Sequence, residues 1–207
     1  TDAHWTHVAR APGYAVFAAR DGFTVRTAGE NASVLRFSPR GGRATAPREE
    51  IALAGVANYL RGNDEAQWVR DVPRCGRLRW ENVHPGVDLV LRDGDGCAEY
   101  DFELAPGAAP NSIAIDVDGG SLRLAGGALQ IVTEHGVVEQ KAPIAYQIAD
   151  GERRPVTARY ELRGDRAFGF VLGAVDPTLP LVIDPLVGYA TWLGGSNWDY
   201  VLDVAVD

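Results

Sequence analysis

Methionine is absent from the 207 residues, lysine occurs once (Lys141), and there are only two cysteines and four histidines. Each scarcity excludes something. Twenty basic residues stand against 28 acidic ones, a formal net charge of −8, and Arg10, Arg20, Arg26 and Arg36 lie far apart. Nucleic-acid binding draws its affinity from clustered positive charge that neutralises phosphates, so that class of partner is not expected. A basic amphipathic helix resting on a membrane is equally unsupported. No run approaches the ~18 apolar residues of a membrane-spanning helix. No basic segment leads into an apolar run, as a signal peptide requires. The missing methionine, initiator included, is what a mature or trimmed piece of a longer chain would show.

What is present is ordinary for a folded protein: 46% hydrophobic and 23% charged residues, a balance that rules out wholesale disorder. A chain of this length buries about 70% of the surface its unfolded form exposes, so it needs no metal or disulfide to fold. Cys75 and Cys97 therefore stand under two readings. They are a disulfide, which persists only in an oxidising compartment, or two reduced, partly buried thiols. Neither lies in a CxxC pair, and no metal-ligand spacing is apparent.

The hydrophobic pattern has period two nearly throughout. Leu78, Trp80, Val83, Val87, Leu89 and Leu91 outline two strands about the His84-Pro85-Gly86 turn. Tyr100, Phe102 and Leu104 alternate with Glu99, Asp101 and Glu103, and Ile113, Ile115 and Val117 with Ala114, Asp116 and Asp118. Gly126-Gly127 separates Leu122 and Leu124 from Leu129 and Ile131, and Asp150-Gly151 separates Ile144, Tyr146 and Ile148 from a return strand through Val156, Ala158, Tyr160 and Leu162. Both are hairpin signatures. Short strands with turn signals every 8–12 residues predict an all-β fold, an antiparallel sandwich or barrel-like domain of many short hairpins. Only Arg48 to Leu60, interrupted by Gly55, and Asp64 to Trp68, with Asp64 as cap, have any helical character, and one short turn is expected at the second. The domain is expected to span residues 1–187, with two β subdomains meeting near 105–112 as an alternative. The last residues, 188–207, form a strand–turn–strand unit. A pair this small cannot bury its own apolar face, and repeats gain stability by stacking, so further copies are expected after it.

Trp192-Leu-Gly-Gly-Ser196, Asp199-Tyr200 and Val204-Ala-Val-Asp207 resemble the opening of an SBBP repeat, a unit proposed to build seven-bladed β-propellers. The chain before it resembles the bacterial domain of unknown function found in front of such repeats. Val56-Ala-Asn-Tyr-Leu60, Asn82-Val-His-Pro-Gly-Val-Asp-Leu-Val90, Glu99-Tyr-Asp-Phe102, Gln140-Lys-Ala-Pro143 and Pro180-Leu-Val-Ile-Asp-Pro185 carry that likeness. The resemblance implies an exported, cell-surface setting and the first strands of a propeller blade at 188–207. It also implies that the downstream repeats of the same polypeptide are the chain's partner, together with a surface protein or glycan. It brings no catalytic residues.

Four groups of residues invite a chemical reading. Glu99, Asp101 and Glu103 share one strand face; paired carboxylates run glycoside hydrolysis, but a wet face opposite a buried one is the commoner explanation. Asp93, Asp95 and Glu99 offer oxygens for Ca²⁺, although Cys97, Ala98 and Leu104 break the EF-hand pattern; Ca²⁺ is the one cofactor the sequence suggests. His4, His7, His84 and His135 are dispersed, the first two in an N-terminus expected to be loose. Among the tryptophans, Trp80 reads as core, Trp68 as a plug over a sheet edge, and Trp5 as a free aromatic for sugar stacking. Glu99, Asp101, Glu103 and Trp5 are thus the candidate ligand-binding set. No nucleophile elbow or P-loop is present. The expected function is a non-catalytic structural or interaction module, with a carbohydrate-binding module and then a glycoside hydrolase as alternatives.

Overall fold

A computed structural model describes residues 5–11, 13–60, 62–93, 98–185 and 187–188. Among these the chain forms eighteen strands: β1 (His7–Ala11), β2 (Tyr14–Ala19), β3 (Gly22–Thr27), β4 (Val34–Pro39), β5 (Arg48–Tyr59), β6 (Val69–His84), β7 (Val87–Asp93), β8 (Ala98–Leu104), β9 (Ile115–Asp118), β10 (Ser121–Ala125), β11 (Ala128–Thr133), β12 (Gly136–Gln140), β13 (Ile144–Ala149), β14 (Glu152–Val156), β15 (Ala158–Leu162), β16 (Ala167–Leu172), β17 (Leu181–Asp184) and β18 (Val187–Gly188). The all-β expectation holds. Two 3₁₀ turns, Glu65–Gln67 and Pro110–Ser112, supply the only described helix, and the first is capped by Asp64, whose side chain accepts from the Ala66 N–H.

The strands pair antiparallel in three sheets. One runs β1-β2-β3-β4-β9-β16-β15, the second β14-β13-β17-β8-β7-β6-β5, and a small third β10-β11-β12-β18. Both seven-stranded sheets take strands from either side of residues 105–112. Among the described residues no sheet closes into a barrel. The apolar parity seen in the sequence meets in one core: Val25, Leu35 and Phe37 of the first sheet, Trp80, Leu89, Tyr100 and Phe102 of the second, and Leu129 and Ile131 of the third are nearly inaccessible to water. Phe23 packs on Tyr100 and Phe102 on Phe170 across the layers, at centroid distances of 5.2 and 5.5 Å, contacts that aromatic quadrupoles favour. The Trp80 indole N–H donates to the Ala19 carbonyl at 2.8 Å, so the buried ring is also polar-satisfied.

Little helix is expected outside Asp64 to Trp68, and Arg48 to Leu60 is strand for all but its last residue, paired along β6. Two sequence expectations need correction. The return strand after Asp150-Gly151 ends at Val156; β14 stays with β13, while β15 crosses to the other seven-stranded sheet and pairs with β16. The N-terminus is not loose at His7, which opens β1 and lies 2.8 Å from the Glu49 carboxylate.

β6 pairs with β7 only from Arg77 onward. Before that point β5 and β6 continue as a two-stranded ribbon, paired from Ala52↔Cys75 out to Tyr59↔Val69 with register shifts on the way. No described residue from 51 to 77 is buried. Trp68 is therefore not a plug over a sheet edge: it sits at the ribbon's tip, its N–H donating to the Gly62 carbonyl and its ring under Arg70.

Candidate functional site

Strand parity builds the site. Leu78 and Trp80 of β6, Leu89 and Leu91 of β7, and Tyr100, Phe102 and Leu104 of β8 face the core. The residues between them, Arg77, Arg79, Asp88, Val90, Arg92, Glu99, Asp101 and Glu103, must face outward. Register then sets Arg92 opposite Glu99, Val90 opposite Asp101 and Asp88 opposite Glu103. Arg79 spreads over three carboxylates: Nε donates to Glu50 at 2.9 Å, Nη1 to Asp88 at 2.7 Å and Nη2 to Glu103 at 2.7 Å. Arg92 donates from Nε to Asp101 at 2.6 Å and from Nη2 to Asp184 at 3.2 Å, and also pairs with Glu99. Arg77 pairs with Glu103 and lies 3.2 Å from Glu50.

Three arginines thus hold six carboxylates on the outer face of the second sheet. This corrects the wet-face reading of Glu99, Asp101 and Glu103. Asp101 is buried and Val90 is wholly shielded on that outer side, because arginine stems lie over apolar surface while their heads reach charge.

The electrostatics follow from the crowding. Hydrogen bonding to Arg79, reinforced by Arg77 and Arg48, holds the Glu50 carboxyl below its usual range against the opposing effect of burial. Burial works to lower the Arg79 pKa, but its bonds to Glu103, Glu50 and Asp88 outweigh it and raise it. Asp184 goes the other way. Burial, then the charge of Asp101, push its pKa up to about 6, with Arg92 only partly opposing. Its Oδ1 is buried without a hydrogen-bond partner.

Chemically, this lattice holds its carboxylates in ion pairs. Glycoside hydrolysis needs one carboxylic acid and one available carboxylate facing each other across a bond. Here Glu99 and Asp101 share Arg92, and Glu103 is divided between Arg77 and Arg79. Two shallow depressions of about 250 and 370 Å³ lie beside the lattice, sharing Arg43 and Asn82. His84 borders the second; it is buried, its Nε2 has no hydrogen-bond partner, and burial lowers its pKa with help from Arg163.

The remaining candidates are dispersed. Trp5 is half exposed and packs against Phe17, 5.5 Å between centroids and far from the acidic strand in sheet order. Of the Ca²⁺ candidates, Glu99 is engaged by Arg92, while Asp95 and the Asp93 side chain lie outside the described residues. So do Cys97, and with it the disulfide reading, His4, and the 189–207 segment likened to a repeat. Arg77, Arg79, Arg92, Glu50, Asp88 and Asp184 were not singled out by sequence. The Arg77-x-Arg79 alternation against Leu78 and Trp80 carried the signal, since it has the same parity as the acidic ladder.

Fold and lattice together define an antiparallel β-sandwich module, consistent with two large sheets packed on one core. The chain belongs to the family described as Domain of unknown function (DUF7948), whose model matches residues 1–186. No curated protein and no solved structure matches it.

Proposed function

We propose that the chain is a non-catalytic structural and interaction module of an exported bacterial surface repeat protein, one that caps or presents a β-propeller built from the repeats that follow it. The observation that carries this reading is the β5–β6 ribbon. It leaves the sandwich with Ile51, Val56, Leu60 and Val69 each at least half exposed, in a two-stranded element that is marginal alone. A ribbon of this kind gains stability when its apolar side chains are covered and its edge is shielded by another sheet. The likeness of residues 188–207 to the start of a propeller repeat supplies the occupant: the first blade. The ion-paired state of Glu99, Asp101 and Glu103 favours this over the carbohydrate-binding and hydrolase alternatives, because those need carboxylates free to meet a substrate.

Hydrogen exchange tests it. In a chain extended through the downstream repeats, amides of residues 52–72 should exchange at least tenfold more slowly than in the 207-residue chain. Val56→Asp should remove that protection without changing exchange in the core strands. Equal ribbon exchange in the two chains refutes the proposal. A glycan array with and without chelator addresses the carbohydrate alternative, and specific binding lost on Glu99→Ala would favour it instead.

A further inference from the structure

His7, Glu49 and Cys75 come from three strands and 68 residues of sequence, yet one ligand atom of each lies within 4.8 Å of the other two. β1 and β5 are edge strands of the two large sheets, and Cys75 is where β6 leaves the sandwich for the ribbon. The cluster therefore bridges the flank of the sandwich where the two sheets come edge to edge. We propose that His7 Nε2, a Glu49 carboxylate oxygen and Cys75 Sγ form a binding site for a divalent transition metal of the zinc class.

The hydrogen bonds point to a cation. The Thr6 hydroxyl donates to the Ala18 carbonyl at 3.2 Å and lies 3.0 Å from His7 Nδ1, where it can accept from an Nδ1–H. His7 Nε2 lies 2.8 Å from Glu49 Oε1, and in the tautomer with its hydrogen on Nδ1 the Nε2 lone pair faces that carboxylate. Two acceptors at that separation are held together by a proton or by a metal ion. The Nδ1–H bond to Thr6 is the arrangement that orients a metal-bound imidazole through its second nitrogen. A thiolate, an imidazole and a carboxylate are zinc's own ligand types, and one thiolate with one carboxylate neutralises a dication. In a tetrahedral site ligand atoms lie about 3.3–3.6 Å apart, a spacing between the 2.8 Å of the His7–Glu49 pair and the 4.8 Å that bounds the cluster. His7 and Glu49 retain 24% and 59% side-chain exposure, which gives an ion access and leaves the fourth position to water. Bound there, the metal joins the N-terminal strand to the root of the ribbon.

The test uses Co²⁺ as a spectroscopic probe on the reduced, chelator-treated 207-residue chain. One equivalent should produce the visible bands of a tetrahedral ion and a thiolate-to-cobalt charge-transfer band, all abolished by one equivalent of Zn²⁺. Cys75→Ser should remove the charge-transfer band. His7→Ala and Glu49→Gln should each weaken binding at least tenfold, whereas Cys97→Ser should leave it unchanged. Zn²⁺ should also raise the melting temperature of the parent chain and not that of His7→Ala, a readout that does not depend on how well Cys75→Ser folds. Absence of the bands, their survival in Cys75→Ser, or their loss in Cys97→Ser overturns the proposal.

Discussion

Asp184 gives the sharpest test of the electrostatic argument. Its carboxyl is held mostly out of water and beside Asp101, and its pKa rises from 3.8 to about 6. Between those two values the folded state keeps a proton that the unfolded chain has released. Its contribution to stability is fully present below the unfolded value and is lost as pH rises through about 6. A shift of about 2 units is worth about 3 kcal/mol at ~1.4 kcal/mol per unit. Asp184→Asn keeps the shape and abolishes the titration, while Arg92 retains Glu99 and Asp101. Urea unfolding followed by tryptophan fluorescence, at intervals from about pH 4 to about pH 7, should show the variant gaining on the parent by roughly 3 kcal/mol across that range. Parallel stability curves for the two proteins would refute the account of Asp184 as a crowded, desolvated acid.

Other perturbations follow from single contacts. Arg79→Met leaves Asp88 without an arginine and leaves Glu50 and Glu103 to Arg77, under a cover that keeps Arg79 only 13% exposed, and should cost about 1.5–3 kcal/mol in urea unfolding, as loss of a hydrogen bond to a charged group does. Adding Glu103→Gln should recover part of that loss. Trp80→Phe deletes the donor to the Ala19 carbonyl and opens space in the core; thermal unfolding should show a loss of about 1–3 kcal/mol. At Gly119, φ is +99° and an added Cβ would sit 2.0 Å from the Val34 carbonyl oxygen. Gly119→Ala must displace β4 or β9, and should destabilise by about 2 kcal/mol or more in the same assay.

Much of the fold was legible because strands declare themselves locally. Alternation between Tyr100, Phe102 and Leu104 and their acidic neighbours specifies a strand and its two faces without any knowledge of its partners. The turns at Gly126-Gly127 and Asp150-Gly151 were equally local: positive φ at both central residues suits these types and few others. The gaps came where a neighbour overrode local preference. Nothing within Arg48 to Tyr59 announces a strand as strongly as the β6 ladder enforces one. Nothing around Thr157 reveals that the chain changes sheets there.

The candidate site divides the same way. Parity placed Glu99, Asp101 and Glu103 on one face, and parity applied to Arg77 and Arg79 would have placed them on an outer face too. That the two faces coincide depends on which strands adjoin and in what register, and a one-residue slip would have reversed every side chain. Asp184 joins Arg92 across 92 residues of sequence, and His7 joins Glu49 and Cys75 across two sheet edges. By itself the amino-acid sequence determined which residues point the same way along each ribbon, since that is a property of backbone geometry. Only the tertiary structure decided which charges meet, which acid has its pKa raised, and which three ligand atoms converge. Those outcomes depend on distance and dielectric, and both are set by long-range packing.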